Sequence, residues 1–463
     1  IPRSNHIQRS HSDAKLIRPS SRRPFFRAPT VTAVPFSDAL RVWLKIGLIS
    51  FGGPAGQIAL MHRLIVEERG WISEQRFLHA LNFCMLLPGP EAQQLATYIG
   101  WMLHKTWGGI VAGVLFILPG FVLMVAIAWA YVAMGDLAWM QGLLFGLQCA
   151  TLAIVVQAVL KVGQKALRHP LLWGIAGLAF VGIFAFGVPF PLIILGAAAL
   201  GLIGARVLPQ VFARPLDASA AAAPPAPAPS WTLRVLLAGA ALWGLPVLAL
   251  VLTLGVGHVF TDQALFFSKM AVVTFGGAYA VLAYMTQQAV ERYGWLAPGE
   301  MVQGLALAET TPGPLILVLT YVGFLAAYRA PGLLDPGVSG LIGATLSTWV
   351  TFVPCFLWIF LGAPYIERLR DHPGLSAALT AITAAVVGVI LNLSLWFALH
   401  VLFDEVHRWQ GYGLRLVVPD PGSLDLAALL IGAAAMLALI RYRIGLMKVL
   451  LACGVAGVVF ALA

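Results

Sequence analysis

Lys45, Ser50 and Glu91 flank two interruptions, Phe51-Gly52-Gly53 and Pro88-Gly89-Pro90. The arrangement returns as Lys269 and Thr274 around Phe275-Gly276-Gly277 and Pro312-Gly313-Pro314. Glu67 with Glu291, Gly70-Trp71 with Gly294-Trp295, Met61 with Met285 and Val66 with Val290 keep the same register, 224 positions apart, as Gly52 is from Gly276. A period that long is a duplicated half-protein and not a solenoid. The acidic residues break the match. Glu91 follows the first Pro-Gly-Pro, whereas Glu309 precedes the second, beside Thr310 and Thr311.

These residue types point to anion binding. Gly permits positive φ and close backbone approach, and Pro suits the first turn of a helix. Helices are therefore expected to start after Gly53 and Gly277 and at Pro90 and Pro314. Each start offers free N–H groups and roughly half a unit of positive charge. Ser50, Thr274 and Thr311 add hydroxyl donors. Lys45 and Lys269 lie six residues before their Phe in otherwise apolar stretches. A lysine at membrane depth costs about 2.5–3.5 kcal/mol on insertion scales, so it either serves the site or snorkels to an interface. Two lysines and several helix N-termini suit a small dianion. The predicted binding set is Lys45, Ser50, Gly52, Gly53, Gly89, Pro90, Lys269, Thr274, Gly276, Gly277, Thr311, Gly313 and Pro314. Glu91 and Glu309 are the candidate proton carriers, and Glu91 alternatively caps its own helix. Gln57, Asn82, Gln93 and Gln94 are possible path-lining groups.

The elements that must position these groups follow from composition. Of 463 residues, 60% are hydrophobic and only 10% charged, with mean hydropathy +0.88. A soluble domain carries about 25% charged residues, so this is an all-α polytopic membrane protein. The net charge of +10 then reports topology and not nucleic-acid binding. Cys84, Cys149, Cys355 and Cys453 sit apart in apolar runs and read as small core residues. No CxxC, HExxH, P-loop or dinucleotide fingerprint occurs, so an enzyme is disfavoured and no metal or cofactor is expected.

Residues 1–35 form a basic tail that reads as disordered. The first repeat covers 36–206, an Ala/Pro-rich linker 207–232, a lone inverting span 233–255, and the second repeat 256–463. In each repeat two short pairs are broken by Gly or Pro, at 36–68 and 73–106 and again at 264–291 and 298–329. Such interruptions at matching places in two halves are the best sequence pointer to a transport site. Ordinary spans are expected near 108–134, 137–160, 171–187, 189–206, 333–361, 374–403, 424–441 and 444–462. The lone span makes the number of crossings between copies odd, which inverts the second half. With a cytoplasmic N-terminus, Lys105, Lys161, Lys165, Arg168, Arg206, Arg214, Arg234, Arg368, Arg370, Arg441, Arg443 and Lys448 fall inside. Only Arg292, Arg329, Arg408 and Arg415 fall outside, as the positive-inside rule requires.

The set Phe51-Gly52-Gly53-Pro54, Glu67, Gly70-Trp71, Pro88-Gly89-Pro90, Gln94 and Tyr98-Ile99-Gly100 resembles the chromate ion transporter family. The second copy, with Thr311-Pro312-Gly313-Pro314, is similar to that family's second domain. The resemblance implies the long form with two homologous halves, and export of chromate across the bacterial inner membrane, conferring resistance. Ala278 and Tyr279 depart from the first copy, where Pro54 and Ala55 stand. Together these readings give a proton-coupled secondary transporter of an oxyanion, its partners being the substrate and the lipid bilayer. A sulfate carrier, a passive anion channel and a membrane-bound reductase are the alternatives.

Overall fold

A computed structural model describes residues 34–51, 53–212, 229–275, 278–363 and 373–463. The basic tail, most of the Ala/Pro linker, Gly52, Gly276, Gly277, Arg214, Arg368 and Arg370 lie outside the described residues.

The first half runs α1 (Phe36–Ile49), α2 (Gly53–His62), α3 (Glu74–Cys84), α4 (Glu91–Met134), α5 (Ala138–Ala166), α6 (Pro170–Phe184) and α7 (Phe190–Val207). The lone span is α8 (Pro229–Leu254). The second half repeats the order as α9 (Val259–Val273), α10 (Ala278–Thr286), α11 (Pro298–Thr310), a 3₁₀ turn Leu315–Leu317 leading into α12 (Val318–Arg329), α13 (Pro336–Gly362) and α14 (Pro373–Leu402). It closes with α15 (Leu426–Met436) and α16 (Leu446–Leu462). Among the described residues six helices are long and apolar enough to cross a membrane: α4, α5, α7, α8, α13 and α14. The expected spans at 171–187, 424–441 and 444–462 are shorter apolar helices, short of the roughly 20 residues that a full crossing needs. The chain is thus a mainly helical membrane protein of two homologous halves with broken helices, separated by one further span.

Lipid satisfies no backbone group, so the chain is helical wherever it can be, and small residues set how closely the helices approach. The long α4 is two arms that fold back at His104 and Lys105, where φ swings to −137° and then to +55°. A Cβ on Gly100 would lie 2.3 Å from the carbonyl oxygen of Gly108, so only glycine lets the arms touch. The α12–α13 pair is the matching hairpin. There a Cβ on Gly323 would meet Ser347 Oγ at 2.3 Å. In the same way α16 lies against α5, α14 against α5, α6 and α7, α1 against α4, and α9 against α13.

Two features escaped the sequence reading. A β-hairpin, β1 (Val406–Gly411) with β2 (Leu414–Pro419), fills the expected loop between α14 and α15. Tyr412 and Gly413 join its strands with φ of 52° and 80°, the two-residue turn that matches strand twist. A π-helical turn ends α2 at Arg63–Glu67, and its counterpart ends α10 at Gln287–Arg292. Each leads to a glycine at positive φ, Gly70 at 59° and Gly294 at 62°, the left-handed residue that commonly ends a helix.

Candidate functional site: the crossing of four interrupted helices

The interruptions of the two halves are bonded to each other. α1 stops at Ser50 (φ −83°, ψ 73°) and α9 stops at Thr274 (φ −76°, ψ 88°). Each leaves carbonyls with no partner in its own helix. Gly89 N–H donates to the Thr274 carbonyl at 2.9 Å, and Gly313 N–H donates to the Ser50 carbonyl at 3.0 Å. Each Phe-Gly-Gly break therefore docks on the Pro-Gly-Pro break of the opposite half, as a twofold relation requires. Gly89 has φ +122° and Gly313 φ +92°, backbone that other residues rarely adopt. The described parts of all four interruptions meet at one place.

Side chains complete the crossing, and here symmetry ends. Gln57 Nε2 donates to the Gly313 carbonyl at 2.5 Å and to the Ser50 carbonyl at 3.3 Å, bridging the halves. Gln94 Nε2 donates to the Pro88 carbonyl at 2.7 Å. In the second half the Tyr279 hydroxyl donates to Glu309 Oε1 at 2.9 Å, with Glu309 only 5% exposed. That pair reaches the first half, because the Tyr279 hydroxyl lies 3.8 Å from where a Cβ on Gly53 would stand. The buried amide oxygens of Gln57, Gln93 and Gln94 have no donor within the protein.

The predicted residues divide accordingly. Ser50, Gly53, Gly89, Pro90, Thr274, Thr311, Gly313, Pro314 and Glu309 are at or beside the crossing. Pro90 and Pro314 sit one residue ahead of their helical turns, which begin at Glu91 and Leu315. Three expectations need correction. The hydroxyls are not free donors: Ser50 Oγ turns back to the Gly47 carbonyl at 3.4 Å, Thr274 Oγ1 to that of Met270, and Thr311 Oγ1 to that of Ala308 at 3.0 Å. A hydroxyl at a helix end competes for the nearest carbonyl. The Gly89 and Gly313 N–H groups are likewise committed to carbonyls. Lys45 and Lys269 are not brought to the crossing either. They project from the exposed faces of α1 and α9, beside Leu44 and Leu48 and beside Leu265 and Val272. Glu91 lies in the first turn of α4, where a carboxylate complements the helix dipole.

Tyr279 was missed as a site residue. It carried a signal, since it is where the second copy departs from the first. Away from the crossing the matched π turns hold different partners. Glu67 pairs with His62 at 3.1 Å, and His62 also meets Glu74. Glu291 instead pairs with Arg408 of the hairpin at 3.4 Å. Among the described residues no three His, Cys, Asp or Glu side chains converge as metal ligands, and all four cysteines are buried free thiols.

The profile of the family described as chromate transporter matches residues 37–202 and 261–458, one stretch in each half. The chromate transport protein of Pseudomonas aeruginosa is 33% identical over 372 residues, 78% of this chain and 82% of that one. The chromate transport protein of Cupriavidus metallidurans is 30% identical over 378 residues, 81% and 85% of the two chains. No solved structure matches. A doubled fold whose interrupted helices bond across the halves, matched by the family profile in both copies, makes this chain a transporter and not an enzyme, and it belongs to the chromate transporter family.

Proposed function

We propose that the chain carries chromate across the bacterial inner membrane, outward, by alternating access about the crossing, with its N-terminus in the cytoplasm and Glu309 as the proton-bearing group. The reciprocal bonds from Gly89 to Thr274 and from Gly313 to Ser50 carry this reading. They tie each half to the other by single hydrogen bonds, each worth about 0.5–1.5 kcal/mol net. Rocking one half can exchange such bonds for contacts with a substrate. The anion's donors are the first-turn N–H groups of α4 and of Leu315–Leu317, neither of which has a side-chain cap.

Electrostatics gives the proton linkage a sign. A dianion and an ionised Glu309 side by side raise each other's energy, so protonation of Glu309 favours anion occupancy. Protonation also releases the Tyr279 hydroxyl for the ligand. An inside-negative potential drives a dianion outward by about 4.6 kcal/mol per 100 mV, from about 2.3 per charge. The proton therefore governs occupancy, and the potential supplies the drive.

A second reading is a carrier for sulfate. Backbone N–H and amide groups tell one tetrahedral dianion from another poorly, and the crossing has few other donors. Uptake of chromate into everted vesicles, with sulfate as competitor, tests both. Saturable chromate uptake that excess sulfate competes down is the expected result. Sulfate uptake with no chromate uptake would overturn the assignment.

A further inference from the structure

The β-hairpin covers a cavity of about 160 Å³ that the crossing does not use. Its polar lining is Thr286, Gln287, Glu291, Asn392, Arg408 and Arg415, with Trp396 and Trp409 among its aromatic walls. The volume suits a small ion with several waters, at about 10–15 Å³ for each water. The hairpin is pinned there by Arg415 N–H, which donates to the Ala185 carbonyl at 2.7 Å. Arg408 and Arg415 come from different strands but from one face of the hairpin, and both line the cavity with Glu291, which Arg408 meets at 3.4 Å. Thr286 is 3% exposed and its hydroxyl has no partner in the protein. A buried, unpaired donor beside two arginines calls for an acceptor that the protein does not provide.

We propose that this cavity is a second binding site for a tetrahedral oxyanion, a vestibule that loads or unloads the crossing. Glu291 holds Arg408 while the vestibule is empty, and the ligand displaces it. The bidentate fork of arginine matches two oxygens of such an anion. The route inward is short. Thr286 ends α10 and Tyr279 stands at its start, so the vestibule and the Tyr279–Glu309 pair are about 10 Å apart at 1.5 Å per residue. Among the described residues the first half has no equivalent. At the matching corner His62 lies between Glu67 and Glu74, and no described hairpin or arginine pair stands there. The identity of the ligand as the transported anion rests on the proposed function, whereas the site itself does not.

The test uses the full chain in nanodiscs titrated with sulfate, which is transparent in the near ultraviolet, while tryptophan emission is followed. Trp409→Phe identifies the reporting residue. A saturable change in the wild type that R408Q/R415Q weakens at least tenfold, and R408K/R415K weakens less, is the expected result. The E291Q variant, lacking the internal competitor, should bind about threefold more tightly. No saturable change in the wild type, or equal affinity in R408Q/R415Q, overturns the site whether or not chromate is transported. Repeating the titration in zwitterionic and anionic lipid separates the two sources of such an anion. A response in both supports a soluble ligand, and one abolished by anionic lipid assigns the cavity to a headgroup and overturns the vestibule. In proteoliposomes, chromate presented to the hairpin side, identified by impermeant labelling of Y412C, should show at least a fivefold higher half-saturation in R408Q/R415Q. An unchanged value there overturns the loading role.

Discussion

The two halves meet through nearly identical backbone and present opposite chemistry. Ser50 and Thr274 end their helices alike, and Gly89 and Gly313 bond to them alike. Yet Gln57 and Gln94 of the first half correspond to Val281 and Val318 of the second, and Glu309 and Tyr279 correspond to Met85 and Ala55. One half offers amides, with the Glu91 carboxyl set on the dipole of α4, and the other a carboxyl hydrogen-bonded to a tyrosine. A carrier needs backbone symmetry so that its inward and outward states are close in energy. It needs asymmetric side chains if a proton is to bias them. Duplication gave the first property, and divergence within it gave the second.

The largest effect should come from disrupting the shared backbone. G89A sets a Cβ 2.8 Å from Cys355 Sγ and 2.9 Å from Gln94 Nε2, at φ +122°, while G313A meets Leu317 Cδ1 at 3.1 Å, at φ +92°. Both should abolish chromate uptake in proteoliposomes, G89A also lowering the thermal midpoint further. Equal retention of uptake in both would mean that the crossing is not where transport occurs.

Next comes the titratable half. E309Q is permanently neutral, so anion affinity should lose its pH dependence. Wild-type affinity should fall as pH rises through the titration of Glu309, and the variant's should stay at the acid-side value. Isothermal titration at a series of pH values checks this, and a wild-type-like profile in E309Q removes the carboxyl from the linkage.

Q57V copies the second half into the first. It removes the donor that bridges the Ser50 and Gly313 carbonyls and, since Gly313 N–H still serves Ser50, leaves the Gly313 carbonyl as an unpaired buried acceptor at about 1–3 kcal/mol of cost. The flux should fall roughly tenfold, and V281Q should not restore it, because the bridge is specific to one side. Restoration would show that the halves are interchangeable.

The smallest effect is expected at the lysines. On the exposed faces of α1 and α9, K45Q and K269Q should change chromate affinity by less than about twofold in this conformation, which agrees with snorkelling. A larger loss measured by calorimetry would show that these faces line the pathway.

Much of the molecule was legible in the chain alone. Hydropathy and the repeat register found the helices to within a few residues, because lipid leaves the backbone no other way to bond. The Gly and Pro interruptions marked where the helices break and the halves meet, because glycine tolerates the positive φ found there. What the interruptions bond to was not legible. The pairing of Gly89 with Thr274 joins positions 185 residues apart, and local residue type does not specify a partner at that distance. Ser50 and Thr274 were misread as ligand donors for the same reason. Their hydroxyls had a closer carbonyl one turn back, a contact that depends on where the helix stops. The hairpin went unseen because six-residue strands with a Tyr-Gly turn are a weak signal amid long apolar runs. Sequence determined the class, the duplication and where the helices break, since these follow from solvent and backbone chemistry. The tertiary fold alone decided which breaks touch, which side chains face the crossing and which face outward, since these depend on how the two halves pack.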